Sequence, residues 1–125
     1  MNTLKNNREF QNIYNYGNKC FGRYSLIFFN KNNLNISRFG FVASKKTGKA
    51  FCRNRIKRLF REYVRLNEDK FSSNYDIIIV GKKIFGEEIN NLKYQDIEKD
   101  LNKILKVSKI LNIKSEKKWK KFFYI

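Results

Sequence analysis

The sequence predicts an α+β fold, a two-layer α/β sandwich with its elements in the order α-β-β-α-β-α. Three observations carry this. The runs "RYSLIFFN" (23–30), "RFGFVAS" (38–44) and "YDIIIVG" (75–81) have the length and the aromatic and β-branched composition of strands. Around them lie stretches whose apolar residues recur at helical spacing. The 125 residues, 42% of them apolar, suffice for one domain with its own core, and no internal repeat or proline breaks the order.

Asn6 can cap a first helix, with Glu9 three residues on as in a capping box, and Gly17 can end it. Phe10, Ile13 and Tyr14 then share one face. In 23–30, Tyr24, Leu26 and Phe28 alternate with Ile27 and Phe29. "KNNLNIS" (31–37) is turn-like and predicts a hairpin onto 38–44, where Gly40 signals a bulge or close packing. In the helix that follows, Cys52, Ile56, Leu59, Phe60, Tyr63 and Val64 fall in one arc at 100° per residue. Asn54, Arg58, Arg61 and Arg65 cluster opposite, flanked by Arg55 and Lys57. "YDIIIVG" is nearly continuous in apolar character, as expected of a central strand covered on both faces. Leu92, Ile97, Leu101, Ile104 and Leu105 mark a third helix from Glu87 to about Lys106. One domain is therefore expected over 1–108, with a basic-aromatic tail over 109–125. The tail mixes lysines with Trp119, Phe122, Phe123 and Tyr124. That mixture suits single-stranded nucleic acid, and equally a solubilised end whose aromatics fold back onto the body.

The net charge is +17, and it is unevenly placed. Between residues 45 and 65 stand Lys45, Lys46, Lys49, Arg53, Arg55, Lys57, Arg58, Arg61 and Arg65, against Glu62 alone. Self-repulsion at this density points to a polyanionic partner. A merely solvated face would intersperse acids. A membrane-surface helix would need its apolar arc free, whereas this arc matches a packing face. Phosphate-backbone binding fits best. The preceding element is a strand rather than a turn and helix, and aromatics are abundant, so RNA or a single strand is favoured over duplex DNA.

Other classes are excluded or unsupported. No apolar run approaches the ~18–20 residues of a membrane span, and "MNTLKNNREFQ" has no apolar stretch of signal-peptide type; the expected compartment is the cytoplasm. Histidine is absent, removing the commonest general base and metal ligand. Cys20 and Cys52 read as small buried hydrophobes rather than a zinc site. "GFVASKKTGK" fails as a phosphate loop, with Lys45 at the second glycine position and Ala50 where Ser or Thr belongs. No catalytic or metal residue is expected in the protein. The rivals are a general RNA-binding or ribosome-associated module, and a self-sufficient nuclease using Asp76 with Glu87 or Glu88.

"SKKTGKAFCRNRIKRLFRE" (44–62) resembles the signature of the bacterial ribonuclease P protein subunit, a basic helix opening with Arg-Asn-Arg and followed by a Lys-Arg pair. "REFQNIYNYG" (8–17), "GRYSLIFF" (22–29), "RFGFVASKK" (38–46) and "YDIIIVGKK" (75–83) are similar to that family's first helix, first two strands and the strand after the basic helix. The resemblance spans roughly 4–106 and departs at Gly81, where the family commonly has arginine. It implies a left-handed crossover through the basic helix between parallel strands, although right-handed crossovers are the general rule. It also implies a division of labour. A large RNA subunit, using Mg2+, cleaves the 5′ leader from precursor tRNA, and the protein binds that RNA and the leader. Carried over, Lys45, Lys46, Arg53, Asn54, Arg55, Lys57, Arg58, Arg61 and Arg65 would contact the catalytic RNA. Phe10, Tyr14, Arg23 and Phe28 would line the leader cleft.

Overall fold

The computed structural model describes residues 1–108 and 110, so the expectations for the 109–125 tail lie outside the described residues. The chain runs β1 (Asn2–Thr3), α1 (Asn7–Tyr16), β2 (Asn18–Phe21), β3 (Ser25–Lys31), β4 (Arg38–Ala43), α2 (Ala50–Asn67), β5 (Tyr75–Gly81), α3 (Lys83–Glu87) and α4 (Tyr94–Ser108). Single tight turns of helix occupy Lys45–Thr47, Glu68–Lys70 and Ile89–Asn91. The α+β class and the order of the principal elements are as the sequence predicts. Two short edge strands and α3 are additions.

One sheet has the order β1-β4-β5-β3-β2. β5 sits at its centre, parallel to β4 and antiparallel to β3. Ile77, Ile78 and Ile79 are fully buried, which follows from a strand apolar on both faces and covered on both. This overturns the expected hairpin between 23–30 and 38–44. β5 inserts between those strands, because only a strand with two greasy faces gains from the middle position. β3 forms its hairpin with β2 instead, through a turn at 22–24. Tyr24 consequently precedes the strand and packs edge-on against Phe85 at 6.1 Å, rather than beside Leu26 and Phe28. The predicted third helix is also broken. Leu92 is buried but lies between the Ile89–Asn91 turn and α4.

The two faces of the sheet are covered unequally. On one, Ile27, Phe39, Ile77 and Ile79 meet Ile56, Phe60 and Val64 of α2 and Ile97, Leu101 and Leu105 of α4. Tyr63 joins the two helices, its hydroxyl donating to Asn102, and burial pushes its phenol pKa up. On the other face, α1 covers Phe28 and Ile78 with Ile13, and Leu4, just ahead of the helix, joins the same cluster. The α1 capping box forms as predicted, Asn6 Oδ1 accepting from the Glu9 amide at 2.9 Å. Gly40 proves to be a close approach. A Cβ there would lie 2.7 Å from the Phe10 ring.

Candidate nucleic-acid interface

α2 is an 18-residue helix in the crossover between parallel β4 and β5. Its apolar arc is buried at Cys52, Ile56, Phe60, Tyr63 and Val64, with Leu59 half-buried, and this fixes which side faces out. Asn54, Arg55, Arg58, Arg61 and Arg65 are exposed, while Arg53 and Lys57 are half-buried at the flanks. Lys45, Lys46 and Lys49 extend the surface beyond the helix start. The turn bearing them is held firmly. Thr47 Oγ1 donates to the Ser44 carbonyl at 2.7 Å, and the Cys52 thiol donates to the Thr47 carbonyl at 3.4 Å. Gly86 of α3 packs so closely on Thr47 that any Cβ would collide with its backbone.

The electrostatics distinguish members of this surface. Glu62 takes two contacts from Arg65, at 2.6 and 3.0 Å, which lowers its pKa. Among the described residues, the other eight cations of 45–65 form no ion pair. Arg61 is oriented over the Phe41 ring at 5.5 Å, and the buried Nε of Arg53 lacks an acceptor among the described residues. An orphaned donor in a cationic field is stabilised by an incoming anion. Phe51 was missed by the sequence reading. It is 70% exposed and shares its face with Asn54, Arg55 and Arg58 at i+3, i+4 and i+7. Its absence from the apolar arc was the available signal.

On the opposite face, Phe10, Tyr14 and Phe28 come together. Tyr14 meets Phe28 edge-on at 4.8 Å, and Phe10 lies 6.4 Å from Tyr14. Phe28 is only 9% exposed, whereas Phe10 and Tyr14 are half-buried and border an open strip of sheet. Burial raises the Tyr14 pKa, keeping the phenol neutral. Lys19 of β2, also missed, sits 5.2 Å over the Phe28 ring. The β2–β3 hairpin that aligns it was hidden by the shortness of β2. Arg23 does not join this cluster. It lies in the β2–β3 turn, hydrogen-bonded to Tyr24 Oη at 3.0 Å and 4.0 Å from Glu88.

Beyond Phe28, a row of apolar residues crosses the sheet, half-buried at Leu26, Val80 and Val42 and exposed at Phe21. Register places Phe21 opposite Leu26, Leu26 opposite Val80 and Val80 opposite Val42. α1 leaves this row partly uncovered. An extended chain could lie here with rings and aliphatic groups beneath it. At Gly81, a Cβ would lie 2.8 Å from Ile56 of α2, so the missing side chain is matched by tight helix packing. Lys82 is bound instead to the Gly22 carbonyl at 2.9 Å.

Carboxylates are occupied elsewhere. Asp76 makes two hydrogen bonds with Arg38, at 2.9 and 2.7 Å, and one with Asn32 at 2.8 Å. Glu87 and Glu88 face Lys83 and Arg23. Among the described residues, no three acids or cysteines converge as metal ligands. The nuclease reading therefore finds its candidate ligand neutralised.

A cationic helix across one side of a small α/β sheet and a partly covered apolar cleft on the other define a protein built to hold a phosphate polymer by its surface. The chain belongs to the ribonuclease P protein family, whose pattern matches residues 1–109. It is 76% identical over 111 residues to a ribonuclease P protein component from Fusobacterium nucleatum, covering 89% of this chain and all of that one. A counterpart from Natranaerobius thermophilus is 36% identical, covering 87% and 91%. Among solved structures, the RNase P protein from Thermotoga maritima superimposes with a TM-score of 0.78 at 31% identity, covering 85% and 96%. That of Staphylococcus aureus also gives 0.78, at 28% identity, covering 90% and 99%. The protein is thus the non-catalytic subunit of a ribonucleoprotein endoribonuclease of tRNA processing.

Proposed function

We propose that the cationic face of α2 and the turn before it bind the catalytic RNA subunit of ribonuclease P. The contacts run through Lys45, Lys46, Arg53, Asn54, Arg55, Lys57, Arg58 and Arg61. The observation that supports this most strongly is the lack of intramolecular compensation. Eight cations stand on one rigid surface with no ion pair among the described residues. RNA phosphates would release counterions from this surface, so binding should be steeply salt-dependent.

On the same reading, the cleft beside α1 receives the 5′ leader of precursor tRNA, with Phe10 and Tyr14 offering ring edges and Phe28 forming the floor. Asp76, Glu87 and Glu88, the carboxylates a self-sufficient nuclease would use, are engaged by Arg38 and Asn32, by Lys83 and by Arg23. On this reading Mg2+ is carried by the RNA, and no step in this chain passes through it. The work would take place in the cytoplasm, where tRNA precursors are made.

Cleavage of precursor tRNA separates this reading from its rivals. Protein alone should be inactive, the catalytic RNA alone weak at low Mg2+, and the two together strongly active. Cleavage by the protein alone would indicate a nuclease. No enhancement of the RNA would leave a general RNA binder.

A further inference from the structure

We propose that α4 and the β2–β3 turn form a second single-stranded RNA surface, which carries the upstream part of the leader after it leaves the cleft. The proposal rests on the leader reading above. Lys99, Lys103 and Lys106 stand at i, i+4 and i+7 on α4 and share a face about 10 Å long. All three are exposed, and among the described residues none is ion-paired. The acid nearest the middle of the row, Asp100, is already used. Its two carboxylate oxygens accept from the amides of Arg23 and Tyr24 at 2.8 and 3.0 Å. Asp96, at the start of the helix, caps it by accepting from the Lys93 amide.

Beside this row lies an open groove of about 370 Å³. Phe21, Arg23, Lys103 and Val107 are among its lining residues. Phe21 is 68% exposed and Val107 78%, so neither serves the core. Cations next to an uncovered ring are the combination that holds a single strand, phosphates on the amines and a base on the ring. Position connects this groove to the cleft. Phe21 ends the row Val42–Val80–Leu26–Phe21, which crosses four strands, or about 14 Å, and the same residue borders the groove. A strand lying across the sheet beside α1 meets the α4 lysines on passing over the β2 edge.

The test uses holoenzyme reconstituted with the cognate catalytic RNA and three ligands: mature tRNA, precursor with a leader ending inside the cleft, and precursor with a leader long enough to reach α4. The native protein should bind the short-leader precursor more tightly than mature tRNA, and the long-leader precursor more tightly again. A Lys99→Ala, Lys103→Ala, Lys106→Ala variant should lose only the second increment. The salt slope for the long leader should flatten by about two units, at ~0.7 per single-strand phosphate. Phe21→Ala should remove about fivefold or more of the same increment, and Phe21→Tyr should restore it. No gain from the short leader would overturn the cleft itself. A short-leader gain without a further long-leader gain, or long-leader affinity unmoved by the lysine variant, would sink the α4 surface alone. Parallel weakening of all three ligands would assign α4 to the catalytic RNA or an acidic protein instead.

Discussion

Arg58 and Arg65 are two exposed arginines on one helix face, yet their surroundings separate them. Arg58 has no acidic partner among the described residues, whereas Arg65 is held by Glu62 in a two-contact pair. Arg58→Ala should flatten the salt slope for catalytic-RNA binding by about one unit, at ~0.9 per phosphate, with thermal stability unchanged. Arg65→Ala should change the slope by less, because part of its charge is already neutralised. Affinity titrations across salt concentrations check both. Phe28 presents the opposite case. Buried between Tyr14 and Ile78, it should cost about 3–5 kcal/mol on conversion to alanine, read by denaturant unfolding, whereas Tyr14→Phe should be nearly silent. The cationic residues were legible because a helical wheel separates them cleanly from the apolar arc. The depth of Phe28 was not legible, because alternation along a strand reveals its face but not the helix lying over it.

At the scale of elements, α1 is fastened to the sheet by an ionic clasp. Arg38 of β4 pairs with both Glu9 of α1 and Asp76 of β5. The Lys5 amide, followed by the Asn6 amide and Arg38, holds the Glu9 carboxyl below its usual pKa. A carboxylate with a lowered folded-state pKa stabilises above its unfolded value, near 4.5, and that stability fades as pH falls through the folded value. Glu9→Gln should therefore unfold more readily at neutral pH, and the difference from the native protein should shrink under acid; melting curves from neutral to acid pH measure this. Gly86→Ala forces α3 away from Thr47 and should destabilise by about 1–3 kcal/mol while displacing Lys45 and Lys46. The clasp was not legible in sequence. Glu9, Arg38 and Asp76 are far apart along the chain, and only the central placement of β5 brings them together. The same placement defeated the predicted hairpin, since turn-like residues at 31–37 say that a strand ends, not which strand it pairs with.

For the molecule as a whole, a charge of +17 sets two responses to salt against each other. Screening relieves self-repulsion in the folded protein, so its melting temperature should rise with added salt. The same salt weakens the hold on RNA phosphates. Thermal melts of the free protein and binding titrations of the complex should therefore slope in opposite directions. A melting temperature that falls with salt would show instead that the internal ion pairs outweigh the repulsion. Fold class and the location of the RNA-binding charge were legible at this scale, because composition and periodicity sum over many residues. The unequal covering of the two sheet faces was not, because it depends on where one short helix docks.

The position of β5 also bears on how the chain comes into being. Both of its neighbours, β3 and β4, precede it, and its first residue is Tyr75. During synthesis the two flanking strands, α1 and the whole of α2 are made before the strand that joins them exists. Until then the row of arginines has no scaffold, and its apolar arc has no sheet to cover. Closure must bring together segments about fifty residues apart, which favours slow, late folding over folding as the chain emerges. The arginines of α2 are thus on the chain before the central strand whose isoleucines pack beneath the helix.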